Sequence, residues 1–311
     1  MRIVLAYAGV VLIWATTPLG IKWSNSTLHF TAAVGLRMSL ALVLCLFILA
    51  YRGQALFQSK KDWQVYFAGA LCLFPTMGIV YWSAQYISSG MIAVVFGIYP
   101  FFVGILSRIF IKHTVLSTQQ IFSLALAFFG LILIQVEQIS LGAKAAYGVA
   151  AVVLGTFIFA TATLWMKKIG EGVEPLRQNT GVLLFALPGF VATWYYNGAP
   201  APEFLDHKSI VGISYLVIFG SIIGSTMFFY VLRTCTAMTT SLIPLMTPML
   251  AMFIGVLVDG EHISKIEVLG AVIIVSSLGI YQGVNYYFLR MVKPIVGRIR
   301  PERSTIHQDT S

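Results

Sequence analysis

Ile3 to Ile21 reads IVLAYAGVVLIWATTPLGI, an unbroken apolar stretch that ends only at Lys22. At 1.5 Å per residue such a run matches the roughly 30 Å hydrocarbon core of a bilayer, which asks for about 20 apolar residues. It is too long for the apolar part of a signal peptide, and no small-residue cleavage site follows it, so it reads as a first membrane span. The same kind of stretch recurs along the chain near 3–22, 28–51, 63–84, 89–111, 119–136, 145–166, 177–196, 209–232, 236–258 and 266–289. Only helices satisfy every backbone polar group within one segment in hydrocarbon, and the runs are too uniformly apolar for barrel strands. The expected fold is an all-α integral membrane protein with ten transmembrane helices.

The whole chain agrees with its first run. Of 311 residues, 58% are hydrophobic and 10% charged, against about 45 to 50% apolar and a quarter charged in an ordinary soluble domain. Mean hydropathy is +0.87. The net charge of +9 is spread between apolar runs and forms no contiguous stripe, so no nucleic-acid partner is expected. Its distribution instead sets topology. Fifteen of the 20 lysines and arginines fall in one set of alternate loops, among them Arg52, Lys60, Lys61, Lys167, Lys168 and the tail from Arg290 to Arg303. Lys22, Lys144, Lys208 and Lys265 fall in the other, and Arg37 lies inside a span. The positive-inside rule then places both termini in the cytoplasm, and the basic tail 290–311 is expected to be disordered.

Sliding the sequence along itself exposes a repeat. A shift of 148 sets Pro100 on Pro248, Trp82 on Tyr230 and His113 on Glu261. A shift of 145 sets Trp14-Ala15-Thr16 on Phe159-Ala160-Thr161 and Lys22 on Lys167. Five spans per half is odd, so the second copy enters the membrane from the opposite side. The expected architecture is two inverted five-helix repeats, 1–139 and 140–289.

Several short motifs, in order, carry a family likeness: Trp14-Ala15-Thr16-Thr17-Pro18-Leu19-Gly20-Ile21-Lys22, Arg37-Met38-Ser39-Leu40-Ala41 and Tyr99-Pro100. The second half adds Ile243-Pro244-Leu245, Thr247-Pro248, Asp259-Gly260-Glu261 and the Gly270 to Gly279 stretch. Together they resemble EamA-type transporters of the drug/metabolite transporter superfamily. The likeness implies export of small metabolites across a bacterial-type inner membrane. By the same likeness, the first, third, fourth, sixth, eighth and ninth helices would line a central cavity. One departure stands out: Lys112-His113 occupies the turn where that family usually has Gly-Glu.

Candidate functional residues follow from depth in the membrane. Trp14, Thr17, Thr76, Tyr99, Thr156, Ser221, Ser225 and Thr247 sit near mid-span, where a substrate site between repeats would lie. Trp14 and Tyr99 each bring a polar atom that needs a partner there. Pro100, Pro244 and Pro248, with Pro75 and Pro188, read as prolines in helix interiors, each freeing a carbonyl. Pro100, Pro244 and Pro248 are candidate hinges. Arg37 is costly unless paired or solvated. Its partner is a helix carbonyl, water or a substrate carboxylate, and the family likeness, in which Arg is common here, favours a structural role.

No carboxylate lies at mid-span, which favours facilitated transport over tight proton coupling and leaves Glu261 and Glu267 as reserve proton sites. Cys45, Cys72 and Cys235 match no metal spacing, and no nucleotide-binding loop or hydrolytic motif is present. No enzyme activity, metal or cofactor is expected. The expected partners are a small amphipathic solute such as an amino acid, and membrane lipid. Two further readings stay open at this point: proton-coupled drug or cation efflux, and a non-transporting membrane scaffold or sensor.

Overall fold

The computed structural model describes residues 2–111, 117–140, 143–169, 172–241, 243–260 and 262–281. Glu261, the Lys112-His113 turn, the expected end of the tenth span and the basic tail lie outside the described residues. Every regular element among the described residues is a helix. Its elements are α1 (Arg2–Ser24), α2 (Phe30–Tyr51), α3 (Lys60–Leu73), α4 (Thr76–Ser83), α5 (Ser89–Phe96), α6 (Tyr99–Ile111), α7 (Thr118–Ser140) and α8 (Ala143–Ile169). They continue with α9 (Pro175–Tyr196), α10 (His207–Tyr215), a π-helix π1 (Leu216–Gly224), α11 (Ser225–Thr234), α12 (Ala237–Ser241), α13 (Ile243–Asp259) and α14 (Lys265–Tyr281).

Seven helical segments among the described residues are long and apolar enough to cross a membrane: Ile3–Ser24, Phe30–Tyr51, Lys60–Ser83, Ser89–Arg108, Ala143–Ile169, His207–Thr234 and Thr239–Asp259. α7, α9 and α14 occupy the other three expected stretches. The outward faces are strongly apolar: Phe47, Val4, Phe128 and Phe253 are all more than 60% exposed. Such a surface would aggregate in water and is suited to lipid. The chain is a multi-pass membrane protein.

Helix starts are set by side-chain caps that take up otherwise unpaired amide groups. The Asp62 carboxylate accepts from the amides of Gln58 (2.6 Å) and Ser59 (2.9 Å) before α3. Glu174 accepts from the Arg177 amide at 2.8 Å, with Pro175 in the first turn of α9. Asp206 accepts from the Ser209 amide at 2.8 Å before α10. Ser264 and Glu267 exchange bonds before α14, at 2.8 and 3.1 Å. Glu267 is therefore part of a helix cap.

Several expected spans are broken, and the breaks correct the proline reading. The third breaks at Phe74-Pro75 between α3 and α4. Pro75 cannot bond the Leu71 carbonyl, and the Thr76 hydroxyl donates to that oxygen instead, at 3.0 Å. The fourth breaks at Gly97-Ile98, leaving Pro100 in the first turn of α6 rather than in a helix interior. There the missing N–H is one the helix would leave unpaired anyway. Pro244 likewise lies in the first turn of α13, while Pro248 is truly internal. The Thr247 hydroxyl donates at 3.0 Å to the Pro244 carbonyl, the one Pro248 leaves free. Pro18, inside α1, is a further interior proline.

Packing is by helix pairs: α7 on α14, α2 on α9, α1 on α13, α3 on α9, α5 on α13, α8 on α3, α4 and α6, and α1 on α10 and α11. Close approach is made by missing side chains. A Cβ on Gly181 of α9 would fall 2.3 Å from the Tyr66 ring of α3, and one on Gly224 would fall 2.9 Å from Ile13 of α1. The Gly220-x-x-x-Gly224 pattern thus serves contacts within the chain.

Candidate functional site

Side chains of α1, α2, α3, α4, α5, α8, π1, α11 and α13 line a cavity of about 100 Å³, room for several water molecules. Larger grooves of 550 and 570 Å³ lie on the outside, lined by aromatic residues such as Trp63, Phe67, Trp165 and Tyr196. Those are open furrows between helices. The inner cavity alone among these gathers polar groups from both halves of the chain.

One wall is aromatic. Trp14 stacks on Phe228 with ring centres 4.9 Å apart and meets the edge of Phe159 at 5.9 Å. Phe96 packs against Phe159 at 5.5 Å. Contacts of this kind add about 0.5–1.5 kcal/mol beyond burial and fix ring orientation. Thr17, Ser225, Thr247 and Pro244 complete the lining, with Arg37 at its edge. Thr17 donates to its own helix at Ile13, 2.7 Å, as Thr247 does at Pro244. Both hydroxyls keep lone pairs with which to accept.

Arg37 reaches the cavity from α2. It is 4% exposed. Its Nε donates to the Ser221 hydroxyl at 2.8 Å and its Nη1 to the Tyr81 hydroxyl at 3.4 Å. The Tyr81 ring centre lies 6.0 Å from its Cζ. Ser221 belongs to π1, whose widened turns leave carbonyls for side chains to take. The Ser225 hydroxyl donates to Gly220 O at 3.1 Å and the Asn179 amide to Ser221 O at 2.7 Å. Segments of π-helix are uncommon and cluster at functional sites. Nothing in the apolar sequence LVIFGSIIG announces one.

Half of the residues singled out for substrate contact meet at the cavity: Trp14, Thr17, Ser225 and Thr247. Ser221 sits behind Arg37. Thr76 and Thr156 are fully buried, Thr76 donating to Leu71 O of α3 at 3.0 Å and Thr156 to Val152 O of its own helix at 2.7 Å. Tyr99 is also fully buried, packed behind Phe159 at 5.3 Å. Its hydroxyl has no hydrogen-bond partner among the described residues. Sequence reasoning passed over Phe96, Phe159 and Phe228, because phenylalanine in a membrane helix carries no signal separating lining from lipid contact. It also passed over Asn179, buried and polar on α9, which its place beside Arg177-Gln178 could have flagged.

Beyond the lining, polar ties hold the helices at both ends. Where α1 ends, Asp259 accepts from Trp23 Nε1 at 2.9 Å and pairs with Lys208 at 3.1 Å and Lys22 at 3.8 Å. Where α1 begins, the Tyr7 hydroxyl donates to Thr239 O at 3.1 Å and Lys167 to Leu232 O at 3.0 Å. A buried ion pair joins α3 to α9, Arg177 to Asp62 at 3.6 Å.

The family pattern described as the EamA-like transporter family matches the chain twice, over residues 1–136 and 146–281. Protein PecM of Dickeya dadantii (strain 3937) is 26% identical over 75% of this chain and 78% of its own. The inner membrane transporter YedA of Escherichia coli (strain K12) is 24% identical over 96% of both chains. The transporter YoaV of Bacillus subtilis (strain 168) is 23% identical over 88% of this chain and 94% of its own. A protein of known crystal structure superposes with a TM-score of 0.63 over 90% of this chain and 97% of its own, at 14% identity, and so shares the fold.

Proposed function

Because the chain belongs to the EamA-like transporter family, we propose that its inner cavity is the substrate site of a secondary transporter that exports small amphipathic metabolites, amino acids or related compounds, from a bacterial-type cell. The observation carrying this is the convergence of both halves on one largely apolar cavity with few polar groups, the usual form of a small-molecule site. Trp14 supplies the aromatic face. Thr17, Thr247 and Ser225 supply hydrogen bonds, and Pro248, inside α13, is the candidate hinge.

The proposed architecture is ten spans in two inverted repeats, 1–139 and 140–289, with both termini cytoplasmic. Helix packing supports it. Exchanging each span for the one five places later turns the α1 and α13 contact into that of α8 with α5 and α6. The contact of α1 with α10 and α11 likewise becomes that of α8 with α3 and α4, and both members of each pair occur. The contacts of α2 with α9, α5 with α13 and α7 with α14 map onto themselves. A pseudo-two-fold axis in the membrane plane produces this pattern, and alternating access follows from rocking one repeat against the other.

Among the described residues no carboxylate lines the cavity, and Glu267 is engaged as a helix cap. Facilitated transport is therefore the proposed mode. The test is flux of an amino-acid and cationic-drug panel into liposomes carrying purified protein, with and without a pH gradient. Saturable flux without the gradient, reduced at least about tenfold in Trp14→Ala, is the expected result. Flux only with the gradient overturns the facilitated mode, and no flux across a broad panel overturns transport itself.

A further inference from the structure

We infer that the cavity takes an anionic group and that Arg37 binds it, which narrows the substrate to a small carboxylate-bearing solute with an apolar or aromatic body. This rests on the transport reading above and deepens it. The argument is one of charge. A guanidinium remains protonated in a protein, and a buried cation in apolar surroundings calls for an opposite charge. Arg37 is 4% exposed, yet its bonding partners, Ser221 and Tyr81, are both neutral hydroxyls.

The carboxylates that might neutralise it are committed elsewhere. Asp62 pairs with Arg177, Asp259 with Lys22 and Lys208, and Glu174 caps α9. No acidic side chain lines the cavity among the described residues. The site therefore holds one net positive charge that the described protein does not balance.

The geometry gives that charge an opening. Nε and Nη1 are turned to Ser221 and Tyr81, while Nη2 makes no hydrogen bond to the described protein. Nη2 lies over Gly220, where a Cβ would fall 2.8 Å away. The bare glycine is what lets the guanidinium come close to π1, with Gly220 itself in the cavity lining. A tie between α2 and π1 alone would need neither the glycine nor the opening. From this edge a carboxylate would place its attached body against Trp14 and Phe228, whose stacked rings form the apolar wall.

The test compares three solutes of one shape: phenylalanine, 3-phenylpropionate, which lacks the ammonium, and phenylalaninamide, which lacks the carboxylate. Binding is read as the ligand-dependent rise in Tm of the purified full chain, and flux is measured in liposomes. The expected result is binding of both carboxylates about tenfold or more tighter than the amide, since a buried donor left unpaired rejects the analogue. Arg37→Gln removes that preference. Should Arg37→Gln not fold, Gly220→Ala, whose Cβ displaces the guanidinium, weakens the carboxylates several-fold more than it weakens the amide. Equal or tighter binding of the amide, binding of none of the three, or a preference that survives both variants overturns the inference. Flux without carboxylate preference sinks the inference and leaves transport standing. Arg37-dependent carboxylate binding without flux does the reverse.

Discussion

The Trp23 indole N–H, at the end of α1, donates at 2.9 Å to the carboxylate of Asp259, the last residue of α13. Two lysines join it, Lys208 at 3.1 Å from the start of α10 and Lys22 at 3.8 Å from α1. Asp259 thus ties α1 and α10 to the end of α13. Because Lys208 and Lys22 are 58% and 35% exposed, water screens both pairs and each contributes well under about 1 kcal/mol. The indole bond to a carboxylate is the stronger tie.

Asp259→Asn should therefore lower Tm by only a few degrees while loosening this end of the bundle. A cysteine placed at Ser225 reports the loosening, because it lines the cavity. Its reaction with a membrane-impermeant maleimide from the Asp259 side should be several-fold faster in the Asp259→Asn background. An unchanged rate would show that the cluster does not close this end.

The two proline-linked threonines should part company. Thr76→Val and Thr247→Val each strip a donor from a carbonyl that a proline has left free, at about 1–3 kcal/mol apiece. Both should reduce Tm to a similar degree. Only Thr247 lines the cavity, so only Thr247→Val should change the substrate concentration for half-maximal flux. Equal effects on flux from the two would remove Thr247 from the site.

Arg177 and Asp62 form an ion pair with side chains 9% and 3% exposed. Removing one member leaves a buried charge, at about 3–5 kcal/mol, whereas replacing both with matched neutral groups costs far less. Arg177→Met should accordingly be poorly folded, and Asp62→Asn with Arg177→Met should recover much of the loss. Additive losses in the double variant would show that the pair is not coupled.

Asp206 gives a pH signature. The Ser26 hydroxyl (2.6 Å), the Ser209 hydroxyl and amide, and the Thr27 hydroxyl hold its carboxyl below the usual value of 3.8, at about 2. A folded pKa below the unfolded one means the ionised form stabilises the fold. That contribution is complete above about pH 4 to 5 and fades as pH falls toward 2. The Tm difference between wild type and Asp206→Asn should be constant from pH 5 to 8 in detergent and shrink steadily between about pH 4 and 2. A difference unchanged down to pH 2 would remove Asp206 from this role.

How much of this was legible beforehand differs by residue. The stretch Ile3–Ile21 declared a helix because length and apolarity are local properties, and a membrane helix satisfies its backbone from within. Ten such stretches pointed to the all-helical fold, and the ordered motifs to the family, without any knowledge of contacts. Pro100 and Pro244 were misplaced for a local reason too: proline announces a break but not whether it stands at the break or one turn past it.

What the sequence determined by itself is the set of helices and the depth of each polar side chain along them. What only the tertiary structure decided is rotation about each helix axis, and with it which groups meet. Trp14 and Tyr99 share a depth and an aromatic character. The first lines the cavity and the second is sealed behind Phe159, because neighbouring helices fix which face turns inward. Arg37 shows the same dependence, its guanidinium resting on Gly220 some 180 residues away along a π-helix that Asn179 and Ser225 help to hold open. A side chain's reach along its own helix is set by 3.6-residue geometry, but its partner on another helix depends on packing summed over the whole bundle.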